Sequence, residues 1–248
     1  MTRGANRKPA PLPGGPPTAP PPRALLVAEI RGLLEPLKLV LRAPQLAMGP
    51  RGSGQPVMVL PGFGTTDRAT WPIRRYLKFL GYDVRGWGLG RNHGNVGKLL
   101  PEVVDAIEAW AETSGEPLRL VGWSLGGYIG REAARERPEL VRQIVTLGSP
   151  VVGGPKYTAS APAYRRQGYD VDAIEALVAE RNSTPLDVPV VAIYSRNDGV
   201  VAWEACIDRV NPLTHHVEVR ARHFSMGFSP ESLRALADSL ASGDRDGC

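Results

Sequence analysis

Cysteine is nearly missing from these 248 residues: only Cys206 and Cys248 occur, the second at the chain end. Two such thiols make no disulfide framework, and the cytoplasm is the expected location. No run of 18 apolar residues occurs, so no integral membrane segment is expected. Prolines, not an apolar stretch, follow the basic N-terminus, so no secretion signal is expected. CxxC and HExxH are absent, and the adjacent His215 and His216 have no third ligand at a recognisable spacing. No metal is therefore expected. Rossmann and P-loop fingerprints are also missing, and no cofactor is expected. Acids are lacking from residues 1–23, where Arg3, Arg7, Lys8 and Arg23 supply +4 of the formal +5. About +1 remains for all the rest, with no basic stripe, which argues against a nucleic-acid partner.

What is present is an apolar share of 42%, enough for one large core. Residues 1–23 hold eight prolines and read as a disordered Pro-rich tail that cannot offset its ordering entropy. Residues 24–48 read as an amphipathic helical segment, with Leu26, Ile30, Leu33, Leu37 and Val40 or Leu41 at helical spacing. Arg31, Glu35, Lys38 and Arg42 fall opposite, and Pro36 should kink or split the helix. Packing of this segment on the remaining chain is expected. A membrane-surface role is disfavoured because its polar side is mixed in sign.

From 49 to 241 the chain alternates strand-like and helix-like runs, leaving 242–248 as a polar tail. Val57–Leu60, Tyr82–Trp87, Leu118–Val121, Gln143–Leu147, Val188–Tyr194 and His216–Val219 read as strands. Helical patterns follow Thr70, precede Trp110, follow Gly127 and end the chain after Ser229. Such alternation predicts an α/β architecture with a mostly parallel sheet and helices on both faces. Residues 150–187 interrupt it, and an excursion of that length after a strand reads as a cap or lid.

The chemistry centres on Gly122-Trp123-Ser124-Leu125-Gly126, between an apolar strand and a helix. A serine on so sharp a turn is strained, and glycines on either side let the chain pass. Ser124 is the candidate nucleophile. It needs a base, and the order Ser…Asp…His selects His223, after the last strand, over His93, His215 and His216. Asp198 follows the Val188–Tyr194 strand, where open α/β sheets assemble their sites. Asp187 precedes its strand and Asp208 reads as helical, so both should face away. The amides of Leu125 and Phe63 are the expected oxyanion donors. Phe63, Trp123, Trp203 and Met226 are the expected substrate-binding side chains.

These stretches resemble bacterial α/β-hydrolase-fold esterases and lipases over about residues 55–240. The resemblance rests on Val57-Met58-Val59-Leu60-Pro61-Gly62-Phe63, on Gly122 to Gly127, on Thr146 to Pro150, on Tyr194 to Val201 and on His223. Trp87-Gly88-Leu89-Gly90-Arg91-Asn92 is similar to a loop of the triacylglycerol-lipase-like branch. The resemblance implies an α/β-hydrolase fold with a short cap. It also implies ester hydrolysis by a Ser124-Asp198-His223 triad without cofactor, on a small-molecule ester with an apolar acyl group. Acyltransferase or thioesterase activity with the same serine remains open, as does a non-catalytic binding role on this scaffold. Oligomeric state is not readable.

Overall fold

In the computed structural model, residues 12–245 are described. The expected tails therefore fall partly outside the described residues, at 1–11 and 246–248. Helix α1 (Arg23–Ala28), a 3-10 turn (Glu29–Leu34) and α2 (Glu35–Ala47) precede the sheet. Next come β1 (Pro56–Leu60), α3 (Trp71–Phe79), β2 (Asp83–Gly86), α4 (Val96–Ser114), β3 (Leu118–Trp123), α5 (Leu125–Glu136) and β4 (Val141–Leu147). The interruption holds α6 (Ala161–Arg166) and α7 (Val171–Asn182). Beyond it lie β5 (Val190–Tyr194), β6 (Thr214–Glu218) and α8 (Pro230–Arg245).

All six strands are parallel, in the order β2-β1-β3-β4-β5-β6. The alternation along each strand explains the layers. Val57, Val59, Val121, Val145 and Ile193 join the α3 and α8 side chains in one core cluster. Met58, Leu60, Leu118, Leu120 and Ile144 join α4 and α5 in another. Helices thus cover both faces, as a parallel sheet requires. Register aligns Leu60 with Gly122, Trp123 with Leu147 and Leu147 with Ile193. The loops leaving β1, β3, β4 and β5 consequently meet at one edge of the sheet.

Two local expectations are corrected. The N-terminal helix breaks at the 3-10 turn and not at Pro36, which occupies the second position of α2, where no amide partner is needed. The segment is also turned over. Ile30, Leu37, Val40 and Leu41 are exposed, whereas Glu29 and Glu35 are buried. Helical periodicity shows that an apolar stripe exists, but a carboxylate with strong internal partners can still win the inward side. The segment packs through Leu46, Leu39 and these acids instead.

Candidate active site

Ser124 has φ 54° and is the one non-glycine residue with positive φ among those described. Such a conformation is costly for a side-chain-bearing residue and persists where the surroundings over-determine it. The determinants here are β3 before it, α5 after it, and a bond from its amide to the Leu147 carbonyl at 2.8 Å. The flanking glycines are sterically required. A Cβ on Gly122 would lie 2.2 Å from the Gly127 Cα, and one on Gly126 would lie 2.3 Å from the Leu60 carbonyl oxygen. The turn therefore presses against both its own helix and the end of β1.

Asp198 and His223 meet directly, with Nδ1 and Oδ2 2.7 Å apart. Both side chains are 5% exposed or less. The other carboxylate oxygen of Asp198 accepts from the Val200 and Val201 amides at 2.8 and 2.7 Å. One oxygen thus fixes the carboxyl to its own loop, while the second takes the imidazole proton at Nδ1 and leaves the Nε2 lone pair free. Burial alone would pull the His223 pKa down. The charge of Asp198 and its hydrogen bond, assisted by the charge of Glu29, outweigh that and raise it above the ordinary value. Gly148, just after β4, is where the parts converge. A Cβ on it would stand 3.0 Å from Asp198 Oδ2 and 3.2 Å from His223 Nδ1, and its neighbour Leu147 holds the Ser124 amide.

The serine between β3 and α5, the acid after β5 and the histidine after β6 stand on an all-parallel sheet of a known fold. Residues 55–167 match the family model for the alpha/beta hydrolase fold. The chain carries an α/β-hydrolase-fold domain. A pimeloyl-acyl-carrier protein methyl ester esterase of Shewanella sp. (strain MR-7) is 27% identical over 113 residues, 43% of this chain and 39% of that protein. The match thus spans less than half of that relative. A solved structure from work on LipS and LipT, two metagenome-derived lipolytic enzymes, is 19% identical, covers 80% of this chain and 96% of its own, and has a TM-score of 0.60. Alpha/beta hydrolase domain-containing protein 10 from mouse is likewise 19% identical over 79% of this chain and 92% of its own, with a TM-score of 0.58. At such identities the two structures speak for the fold.

In this hydrolase-fold domain the loop after β1 lies against the elbow. A Cβ on Gly62 would stand 3.2 Å from that of Ser124. Gly64 donates to the Asn92 carbonyl and Thr65 to that of Gly62, so the loop's neighbouring amides are engaged around Phe63. Leu125 opens α5, where an amide has no acceptor one turn earlier in its helix. Asn92, fully buried, was not legible as a site residue. Its side chain donates to the Pro61 carbonyl at 2.9 Å, its amide to Thr65, and its carbonyl accepts from Gly64. The only signal for it was its place at the end of the Trp87–Asn92 stretch.

The expected substrate-binding residues separate. Phe63 lines a crevice with Ser124, Leu125, Pro150, Tyr164 and Val201. Its ring lies 4.8 Å from that of Tyr164 in α6. The cavity there is about 20 Å³, room for about one water. Trp123 and Met226 belong instead to the buried core behind the acid–base pair, with the Trp123 ring 6.4 Å from that of His223. Trp203 stacks on Tyr194 and lies under Arg196. These three do not line the crevice.

A groove of about 1200 Å³ lies elsewhere, between α2, β6 and α8, bordered by Leu41, Met48, His215, Glu231 and Arg234. Its lining includes neither Ser124 nor the buried pair, whereas that of the small crevice includes Ser124. Asp208 is not helical as expected, but sits in a turn after the 3-10 segment Trp203–Cys206. Among the described residues, no helix is long and apolar enough to cross a membrane, and no three His, Cys, Asp or Glu side chains are grouped to hold a metal ion.

Proposed function

We propose that the protein is a serine carboxylic-ester hydrolase acting through an acyl-enzyme. The observation that carries this reading is the buried 2.7 Å Asp198–His223 pair at the strand edge where the strained Ser124 stands. Ser124 Oγ attacks the ester carbonyl as neutral His223 takes its proton at Nε2. Asp198 keeps the other imidazole proton on Nδ1 and balances the imidazolium charge. The Leu125 and Phe63 amides hold the oxyanion, each donor contributing about 10²–10³ in rate. His223 then protonates the leaving alcohol, and activates the water that releases the acid.

The crevice walls, Phe63, Pro150, Tyr164 and Val201, favour an apolar acyl group. A cavity of one-water size admits it only when the 150–187 cap shifts, with Tyr164 moving off Phe63. The name of the Shewanella relative, a methyl ester esterase, supports the same bond type. Because the base must be neutral, kcat/KM should rise with pH along a limb centred above the ordinary imidazole value, following the raised His223 pKa. The deciding experiment is hydrolysis of p-nitrophenyl butyrate. Wild type should turn over and react with a fluorophosphonate, and Ser124→Ala should do neither. Persisting turnover in that variant would remove Ser124 from the mechanism.

A further inference from the structure

Glu29 comes from the 3-10 turn between α1 and α2, outside the 55–167 stretch that matches the family. It is 5% exposed, which is rare for a glutamate unless partnered. Its partners are unusual for a side chain so far away in sequence. Oε1 accepts from the Gly199 amide at 2.8 Å and from the His223 amide at 3.0 Å, and Oε2 accepts from the Phe224 amide at 3.0 Å. Gly199 follows Asp198 directly, and His223 is the base itself. The segment fits this place closely. A Cβ on Gly199 would lie 2.4 Å from the Leu25 carbonyl oxygen, and one on Gly32 would lie 3.3 Å from the Ser225 Cβ.

We propose that Glu29 is a positioning residue that locks the acid loop to the base loop through three backbone amides, so that the N-terminal segment completes the active site. The inference rests on the reading of Ser124, Asp198 and His223 given above. The two loops leave different strands, β5 and β6; besides the Asp198–His223 bond, the Asn197 side chain donates to the Arg220 carbonyl at 3.2 Å, but only the former reaches the ring. A single bond leaves the imidazole free to pivot. A carboxylate bridging the backbones on both sides of that bond removes the pivot and holds Nε2 in the aim that the proposed proton transfer from Ser124 requires. Loss of about 1 Å in such an aim costs about 10²-fold in rate.

Glu29 also acts through charge. The charged groups facing His223 are Asp198 at the ring and Glu29 at the backbone, both favouring the imidazolium. Arg222 precedes it on its own loop. The buried Cys206 thiol beside Asp198 is pushed up by burial and stays neutral. Removing the Glu29 charge should therefore lower the His223 titration point.

Three full-length variants test this with p-nitrophenyl butyrate turnover, fluorophosphonate labelling, and NMR titration of the His223 imidazole. Glu29→Ala should lower kcat about 10²-fold with KM little changed. Glu29→Gln keeps one carbonyl oxygen for two of the amides but sets its NH2 against the third. It should lower kcat less and move both the acid limb and the imidazole titration to lower pH. Glu29→Asp keeps the charge but not the reach, so kcat should fall while the acid limb stays. Folded Gln and Ala variants with wild-type kcat and an unmoved His223 titration would overturn the proposal. Failure of both Gln and Asp variants to fold would also overturn it, reducing Glu29 to a structural residue. An active Ser124→Ala protein would instead sink the underlying reading, so the two failures are distinguishable.

Discussion

Two buried aspartates sit in this molecule with nearly the same local geometry and different partners. Asp198 Oδ1 accepts from the amides two and three residues ahead, Val200 and Val201, and Oδ2 meets His223. Asp208 Oδ1 accepts from Val210 and Asn211, again two and three ahead, and Oδ2 meets Arg131 at 2.6 Å. Both turns use one carboxylate oxygen to cap their own backbone, the familiar habit of aspartate in turns, and present the other outward. What distinguishes them is the cation. Arg131 is permanently charged, so its pair is a fixed clamp between α5 and the β5–β6 connection. His223 can gain and lose a proton, as the mechanism proposed above requires of its pair. The lesson is that the aspartate turn is a presentation device, and function lies in what is presented to it.

A matched pair of substitutions separates the two. Asp198→Asn should lower kcat by about 10⁴, because an amide NH2 can donate to Nδ1, shifting the imidazole proton to Nε2 and removing the lone pair that Ser124 needs. A drop of under tenfold in ester turnover would mean that Asp198 does not set the tautomer. Asp208→Asn makes the same chemical change but leaves the Arg131 guanidinium, 3% exposed, buried without its counter-charge. Breaking such a pair costs about 3–5 kcal/mol. Urea unfolding should register that loss, while kcat of the folded protein stays at the wild-type value. Equal effects of the two substitutions on turnover would erase the distinction between clamp and catalyst.

Sequence pattern foretold the alternation of strands and helices because strands buried on both faces must be apolar runs and helices must be periodic. It singled out Ser124 because three close glycines around a serine answer to a steric demand, now visible as the approaches at Gly122, Gly126 and Gly127. Asp198 was preferred to Asp208 because it follows the end of a strand while Asp208 read as helical; Asp208 in fact caps a turn of the same kind, so local chemistry alone does not separate the two. Glu29 was invisible for another reason. Its contacts reach 170 to 195 residues ahead, with no spacing rule to announce them, and its charge argued for the solvent side. The inverted N-terminal segment has the same root. A helical stripe tells where the apolar residues are, while the distant backbone partners of Glu29 favour turning the acid side inward.

The smallest expected effect concerns the supports of the Asp208 turn. His216 on β6 accepts the Asp208 amide at Nε2, 3.0 Å away, a bond that only the neutral tautomer can make. Burial lowers its pKa, opposed by the Asp208 charge and reinforced by His215, Arg209 and Arg131. A depressed histidine favours the folded state while neutral, so its contribution is present above the unfolded value near 6.5 and is lost as pH falls through the lower folded value. The Asp208 carboxyl itself is hard to protonate: burial would raise its pKa, but Arg131 and the Asn211 and Val210 amides hold it below the ordinary carboxylate value. Its contribution survives to lower pH and is lost below about 3.8. Stability followed by urea unfolding from pH 8 downward should thus decline in two separate windows. His216→Gln, which retains an acceptor and cannot protonate, should erase the upper window and leave the lower one. The kcat/KM profile of the variant should stay that of the wild type, and any change in it would mean that the two aspartate turns are coupled through β5 and β6 rather than independent.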